Sequence, residues 1–218
     1  LGGISTKGLT LKRREGNPPP RIAETPSGII NSVGLQNPGV DAFIENDLNW
    51  LKQHNTVIIA NIAGDTEEDY CKMAERVSSA GVDMIELNIS CPNVKKGGLA
   101  FGSDPVSIKS ITAAVKQSII GGVPLIVKLS PNVTSIASAA EAAQMGGADC
   151  ISLINTIGAM AVDLKTRRPI LANVFGGLSG PCVKPVALKM VYECSRAVTI
   201  PIIGIGGITC AEDVIEFM

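Results

Sequence analysis

The sequence predicts an α/β fold, a (β/α)8 barrel of which these 218 residues supply about six of the eight strands. Short apolar, β-branched runs alternate with helical patterns, which is typical of a parallel sheet covered by helices on both faces. Polar residues and glycines also gather directly after the predicted strands, where a barrel builds its active site. A doubly wound sheet is the alternative, since it too is built from right-handed βαβ units.

The predicted strands are short and strongly apolar. A first strand is expected to end near Ser5. The later strands are expected at residues 57–62, 82–89, 124–129, 149–155 and 200–205. A closed barrel of eight strands therefore needs one strand before Leu1 and another after Met218. The edges of such an incomplete sheet would expose unpaired backbone groups.

Caps and glycines mark the helices between these strands. Asp65, with Glu68 three residues later, is typical of a capping box, so a helix is expected from there to Gly81. Asp104 is expected to cap a helix that holds Pro105 in its first turn. Further helices are expected at residues 134–145, at residues 185–196 and after a cap at Thr209.

The domain organisation predicted is one partial barrel over residues 1–218. A long connection at residues 156–184 is rich in glycine, proline and basic residues. It is expected to be an inserted loop on the active-site side of the barrel.

Composition limits the classes of function. Apolar residues make up 45% of the chain, but no apolar run approaches the roughly 20 residues of a membrane span. The net charge of −1 comes without a basic or aromatic patch, so nucleic-acid binding is not expected. The six cysteines form no CxxC pair, which argues against a zinc site or a disulfide framework. A reducing, cytoplasmic location is expected.

The segment NISCPNVKKGG sets Cys91 between Asn88 and Asn93, just after a predicted strand. A free cysteine is most often a small buried hydrophobe. The position at a strand end favours a second interpretation, a thiol that takes or gives a proton near neutral pH. The single histidine, His54, is expected at the surface and does not compete for that role.

Lys128 lies inside the apolar run LIVKLSPN, where an unpaired ammonium group is costly to bury. It is expected to face a ligand, as a Schiff-base amine or as an anion-binding group, and a surface position at a sheet edge is the alternative. Lys7 invites the same argument more weakly. In the segment IIGIGGI, Gly206 and Gly207 could admit a phosphate to backbone N–H groups at a helix N-terminus, or could simply form a tight turn.

Asparagines form the most unusual pattern. They fall at predicted strand ends or in glycine-rich turns, and an amide both donates and accepts hydrogen bonds. Several of them at one barrel mouth would suit a flat heterocycle with alternating C=O and N–H groups. These residues are Asn31, Asn61, Asn88, Asn93 and Asn155.

Seven motifs, taken together, resemble the dihydroorotate dehydrogenases, and specifically the class 1B catalytic subunit. In chain order they are NSVGLQNPG, IIANIAG, LNISCPN, VKLSPN, LINT, KTRRPILANVFGGLSGP and IPIIGIGGI. The resemblance runs over essentially the whole chain. It implies an FMN-dependent barrel that oxidises dihydroorotate to orotate in de novo pyrimidine biosynthesis.

The resemblance also implies roles for individual residues. Cys91 would take the C5 proton of the substrate while a hydride passes from C6 to flavin N5. Substrate contacts are implied for Lys7, Asn31, Ser32, Val33, Gly34, Leu35, Asn88, Asn93, Asn155 and Thr156. Flavin contacts are implied for Lys7, Gly8, Asn61, Asn88, Lys128, Ile154, Gly180, Gly206 and Gly207. Within that set, Lys128 would lie near flavin N1 and O2 and the glycine pair near the phosphate.

Partners follow from the same resemblance. Class 1B enzymes join a homodimer of catalytic subunits to an electron-transfer subunit, as a heterotetramer that passes electrons to NAD. This chain has no cysteine spacing for an iron–sulfur cluster, so FAD and a [2Fe–2S] cluster are expected only on the partner. No metal ligand is expected here. A Schiff-base aldolase built on Lys128 and an inactive barrel fragment are the competing interpretations.

Overall fold

The structure is a computed structural model that describes residues 2–90, 102 and 104–218. Its strands are β1 (Gly3–Ser5), β2 (Ile22–Thr25), β3 (Gly28–Asn31), β4 (Val57–Ile62), β5 (Met84–Asn88), β6 (Leu125–Lys128), β7 (Cys150–Leu153), β8 (Ile157–Met160), β9 (Val162–Asp163), β10 (Arg168–Pro169), β11 (Phe175–Ser179) and β12 (Ile202–Gly204). Its helices are α1 (Val40–Ala42), α2 (Asn49–Leu51), α3 (Glu67–Ser79), α4 (Pro105–Ser118), α5 (Ile136–Met145), α6 (Lys184–Ala197) and α7 (Ala211–Phe217). A π-helical segment, Phe43–Leu48, joins α1 to α2, and a 3-10 turn, Pro181–Val183, precedes α6.

Six strands form one parallel sheet in the spatial order β1, β4, β5, β6, β7, β12. This order follows the order of the chain, with no reversal. A doubly wound sheet reverses its strand order at a switch point, whereas a β/α barrel adds each strand beside the last. The sheet is therefore an incomplete barrel, and the prediction of about six strands is confirmed.

The two faces of the sheet have different chemistry, because successive side chains of a strand point to opposite faces. On β5, Ile85 and Leu87 are fully buried in the hydrophobic core, which also holds Met73 and Val77 of α3. Glu86 and Asn88 point the other way, into the barrel. Apolar packing against the helices stabilises the sheet, and polar side chains remain for the interior.

Helix caps differ from the prediction in two places. Helix α3 begins after Thr66, whose hydroxyl oxygen accepts from the backbone N–H of Asp69 at 3.1 Å, and Asp69 accepts in return from the N–H of Thr66. The capping box is therefore one residue later than the predicted one at Asp65. The N-cap of helix α7 is Cys210 and not the predicted Thr209, whose N–H and hydroxyl groups donate to Asp213.

The cap of helix α4 is as predicted. Asp104 Oδ1 accepts from the backbone N–H groups of Val106 and Ser107, both at 3.0 Å. These two N–H groups have no partner within the helix, so the carboxylate satisfies them. A hydrogen bond with the side chain of Ser107 first, and then the backbone hydrogen bonds from Ser107 and Val106, hold the pKa of Asp104 below its ordinary value.

A second, antiparallel sheet has the strand order β2, β3, β11, β8. Two of its strands, β8 and β11, fall within residues 156–184, together with β9 and β10. Strand β11 pairs with β3, for example through Gly177 and Asn31, which are far apart in the chain. Within this segment β8 pairs with β11 and β9 pairs with β10, so among the strand pairings of the described residues only that of β11 with β3 joins it to a distant part of the chain. No helix among the described residues is long and apolar enough to cross a membrane.

Candidate active site

A buried carboxylate lies at the centre of the polar face of the parallel sheet. Glu86, on β5, is 4% exposed. Its Oε1 accepts from the hydroxyl of Ser152 at 2.7 Å, and its Oε2 accepts from Nδ2 of Asn61. The ammonium of Lys128 lies 3.5 Å from Oε2, and the hydroxyl of Ser5 lies 3.4 Å from it. The strands β1, β4, β6 and β7 each send one polar group to this carboxylate.

Neither Glu86 nor Ser152 is among the site residues predicted from the sequence. Glu86 lies two residues before Asn88 on one strand, so the two side chains share a face. In the register of the sheet, Glu86 is the partner of Asn61, and Lys128 is the partner of both Asn88 and Ser152. A charged residue inside an otherwise apolar strand, at an even spacing from a candidate asparagine, is the signal that could have found Glu86.

A chain of hydrogen bonds runs from Glu86 along the ends of the strands. Asn61 Oδ1 accepts from Nδ2 of Asn88 at 3.3 Å, and Asn88 Oδ1 accepts from the hydroxyl of Ser90 at 2.6 Å. The hydroxyl oxygen of Ser90 accepts in turn from Nδ2 of Asn155. Three of the five asparagines singled out in the sequence are therefore brought together, with a serine as the link.

Asn31 lies apart from this chain. It is on β3 of the antiparallel sheet, where its Nδ2 donates to the carbonyl oxygen of Gly177 at 3.4 Å. Gly177 lies directly against Thr156, since a Cβ built on that glycine would come 2.0 Å from the hydroxyl oxygen of Thr156. The antiparallel sheet thereby joins Asn31 to the residue that follows Asn155.

Lys128 lies on β6, between β5 and β7, so it is not at an edge of the sheet. Its side chain is 19% exposed, and Glu86 is its ion-pair partner. The interpretation of Lys128 as a surface edge residue is therefore wrong. Lys7 follows β1 and is exposed.

The segment after β3 approaches the asparagines from the other side. A Cβ on Gly8 would lie 3.0 Å from Asn61 Oδ1 and 3.1 Å from Leu35, so these three residues are in close contact. Gly34 and Leu35 both have positive φ, 77° and 54°. Such a conformation is unusual for leucine and tends to occur at functional sites.

Side chains on either side of this segment hold it in place. Asn17 donates to the carbonyl oxygen of Ser32 at 2.9 Å, and Asn37 donates to the carbonyl oxygen of Leu35 at 2.7 Å. The hydroxyl of Ser32 is buried and has no hydrogen-bond partner among the described residues. Val33 is half-buried and accepts from the N–H of Asn17 through its carbonyl oxygen.

Three predicted glycines lie together at the far end of the sheet. Gly180, Gly206 and Gly207 have φ values of 111°, 130° and 70°. A Cβ on Gly207 would lie 2.9 Å from the carbonyl oxygen of Gly180 and 2.8 Å from the backbone nitrogen of Lys184. A Cβ on Gly206 would lie 3.4 Å from the buried Ile154. Only residues without a side chain fit here, which leaves backbone groups accessible.

Two predicted site residues, Cys91 and Asn93, lie outside the described residues. Among the described cysteines, burial raises the pKa of Cys150 and raises that of Cys194 to about 12. Neither thiol is suited to act as a base near neutral pH. His54 is exposed as predicted, with its Nδ1 3.0 Å from the carbonyl oxygen of Trp50.

The arrangement combines one ammonium group with amide N–H groups at the carboxyl ends of parallel strands. These donors can bind carbonyl or carboxylate oxygens and can stabilise negative charge that develops on a ligand. Within residues 2–90, 102 and 104–218, no cluster of three or more histidine, cysteine or acidic side chains is placed to hold a metal ion.

Comparison with known proteins gives consistent results. The family model described as "Dihydroorotate dehydrogenase" matches residues 1–218. A relative from Alkaliphilus metalliredigens, named dihydroorotate dehydrogenase B (NAD(+)), catalytic subunit, is 58% identical over 218 residues, which is all of this chain and 72% of that protein. A relative of the same name from Thermoanaerobacter sp. is 56% identical over the same shares. A solved DHODH from Eimeria tenella, in complex with ferulenol, shares the fold, with a TM-score of 0.79 and 24% identity over 96% of this chain and 64% of that one.

Proposed function

Because the chain belongs to the dihydroorotate dehydrogenase family, we propose that it oxidises dihydroorotate to orotate in pyrimidine biosynthesis. The observation that carries this proposal is the similarity of the entire chain to B-type catalytic subunits at 56–58% identity. The donor groups around Lys128 and Asn88 support it, because orotate is a flat, carbonyl-rich anion. No observation favours a Schiff-base reaction at Lys128.

A flavin cofactor follows from family membership, and the specific proposal is FMN. The residues fit this group in two respects. The ammonium of Lys128 suits a ring that becomes anionic on reduction, and the backbone at Gly180, Gly206 and Gly207 suits a phosphate because no Cβ obstructs it. When bound, FMN would accept at N5 the hydride that leaves C6 of dihydroorotate.

The roles proposed for the residues of this chain divide into proton transfer, substrate binding and cofactor binding. Cys91 takes the C5 proton of dihydroorotate, and it follows Ser90, the serine that links Asn88 to Asn155. The groups that bind the orotate ring and carboxylate are Lys7, Asn31, Ser32, Val33, Gly34, Leu35, Asn88, Asn93, Asn155 and Thr156. The groups that bind FMN are Lys7, Gly8, Asn61, Asn88, Lys128, Ile154, Gly180, Gly206 and Gly207.

A second subunit is part of the proposal. The relatives are named as NAD(+)-linked catalytic subunits, which implies a separate partner that completes the electron path. The finer proposal is a heterotetramer in the cytoplasm, in which two copies of this chain pair with subunits that hold FAD and a [2Fe–2S] cluster. The cysteines of the chain lie without cluster spacing, which supports a cluster on the partner.

The absorbance spectrum of the purified protein tests the reaction. We expect a flavin spectrum that bleaches when dihydroorotate is added without an acceptor. Cys91→Ala should keep the flavin and slow the bleaching by about 10²- to 10⁴-fold, the usual contribution of a positioned base. Bleaching of Cys91→Ala at the wild-type rate would show that Cys91 is not the base that takes the C5 proton. An adduct trapped on Lys128 by borohydride with a carbonyl substrate would instead support the aldolase interpretation.

A further inference from the structure

We propose that Glu86 is a positioning residue that orients the amides of the site and holds Lys128. The inference rests on the proposed function for the identity of the ligands that these groups bind. A carboxylate that is 4% exposed is costly unless donors surround it, and each Glu86 oxygen accepts at least one hydrogen bond. All of these donors come from the polar face of the sheet.

Glu86 determines the direction of the hydrogen-bond chain. An ionised carboxylate can only accept, so Asn61 must turn its Nδ2 towards Glu86. Asn61 Oδ1 then faces Asn88 and accepts from its Nδ2. Asn88 Oδ1 is left to accept from the hydroxyl of Ser90. One acceptor at the start of the chain thus selects one of the two orientations of each amide.

The direction of the hydrogen-bond chain determines which atoms of the three amides remain free to bind a ligand. The Oδ1 atoms of Asn61 and Asn88 already accept within the chain, and Asn155 Oδ1 accepts from the N–H of Thr156 at 2.8 Å. Each Nδ2 carries two hydrogens and donates one of them in the hydrogen bonds described here. The three amides therefore present N–H donors, which select a ligand rich in carbonyl and carboxylate oxygens.

Glu86 also determines the charge at Lys128. The ammonium lies 3.5 Å from Glu86 Oε2, and both side chains are largely buried. Replacing Glu86 by glutamine would remove the counter-charge and leave the field of Lys128 less compensated. Because Lys128 is proposed to face the flavin, whose reduced form is anionic, the midpoint potential of bound FMN should rise.

The test compares wild-type protein, Glu86→Gln and Asp149→Asn, all loaded with FMN. Asp149 is the matched control, since it pairs with Lys116 and accepts from the N–H of Leu125 at the opposite end of the strands. Glu86→Gln should weaken orotate binding about tenfold, the effect of one charge-assisted hydrogen bond, and should move the flavin potential upward. Asp149→Asn should change the melting temperature alone.

Three results would contradict the positioning role proposed for Glu86. If Glu86→Gln only lowers the melting temperature, as in the control, the carboxylate is structural and the inference is wrong. If Glu86→Gln does not fold, Ser152→Ala removes only the hydrogen bond to Glu86 Oε1, and unchanged orotate affinity would overturn the inference. Wild-type protein that binds neither FMN nor orotate would overturn the proposed function, and this inference with it.

Discussion

The hydroxyl of Tyr70 donates a 2.9 Å hydrogen bond to the backbone carbonyl oxygen of Asn88. Tyr70 lies on helix α3 and is 1% exposed, and Asn88 is the last residue of β5. The helix behind the sheet therefore fixes the backbone at the point where the strand enters the candidate site. The side chain of Asn88 can then meet Asn61 and Ser90 at the same time.

Tyr70→Phe should destabilise the protein and loosen the end of β5. The variant leaves a buried carbonyl oxygen without this donor, at a cost of about 1–3 kcal/mol in the free energy of unfolding. Urea denaturation measures the loss. Tyr192→Phe is the control, because Tyr192 is 67% exposed and should change the unfolding free energy little. Equal effects of the two variants would show that the Tyr70 hydrogen bond is not important for stability.

Gly8→Ala should weaken flavin binding. The added methyl group would come 3.0 Å from Asn61 Oδ1 and 3.1 Å from Leu35, and such overpacking typically costs about 1–3 kcal/mol. The measurement is the FMN content of the purified protein, with Gly2→Ala as the control, since a Cβ there meets nothing within 4 Å. A full flavin content in Gly8→Ala would mean that the contact with Asn61 relaxes without consequence.

Gly207→Ala should weaken FMN binding more than Gly121→Ala. Both glycines have φ near 70°, so the left-handed backbone conformation should destabilise the alanine variant by a similar amount, about 1–2 kcal/mol, at each position. Only at Gly207 would the Cβ also meet backbone atoms, those of Gly180 and Lys184, whereas at Gly121 nothing lies within 4 Å. Titration of apoprotein with FMN separates the two. Indistinguishable affinities would argue against a cofactor contact at Gly207.

Asp213 should make stability depend on acid pH. Hydrogen bonds from the ammonium of Lys184 first, and then from Thr209, hold the pKa of Asp213 well below its ordinary value of 3.8. The unfolded chain therefore takes up this proton first, so the stabilisation is complete above about pH 4 and declines as the pH falls.

Asp213→Asn checks this pH dependence. The variant should be less stable than wild type at pH 7, because a neutral amide cannot form an ion pair with the ammonium of Lys184. The gap between the two urea midpoints should shrink as the pH falls below about 4. Midpoint curves that run parallel from pH 7 to about pH 3 would contradict the role given to the lowered pKa of Asp213.

The sequence by itself determined the parallel sheet and the order of its elements, because these depend on local patterns. Apolar runs of four to six residues between capped helices specify strands such as β4 and β6 without reference to any distant residue. Strand ends then predicted where polar residues would gather, and Asn61, Asn88 and Asn155 do lie in one hydrogen-bond chain.

Only the tertiary structure decided the pairing of β3 with β11 and the position of Glu86. Strand β11 pairs with β8, a near neighbour in the chain, and also with β3 from the start of the chain. No local pattern in its glycine-rich sequence predicts the pairing with β3. Glu86 matters because donors from Asn61, Lys128 and Ser152 surround one carboxylate. Contacts between side chains of different strands depend on the register of those strands, and register is determined by packing across the sheet.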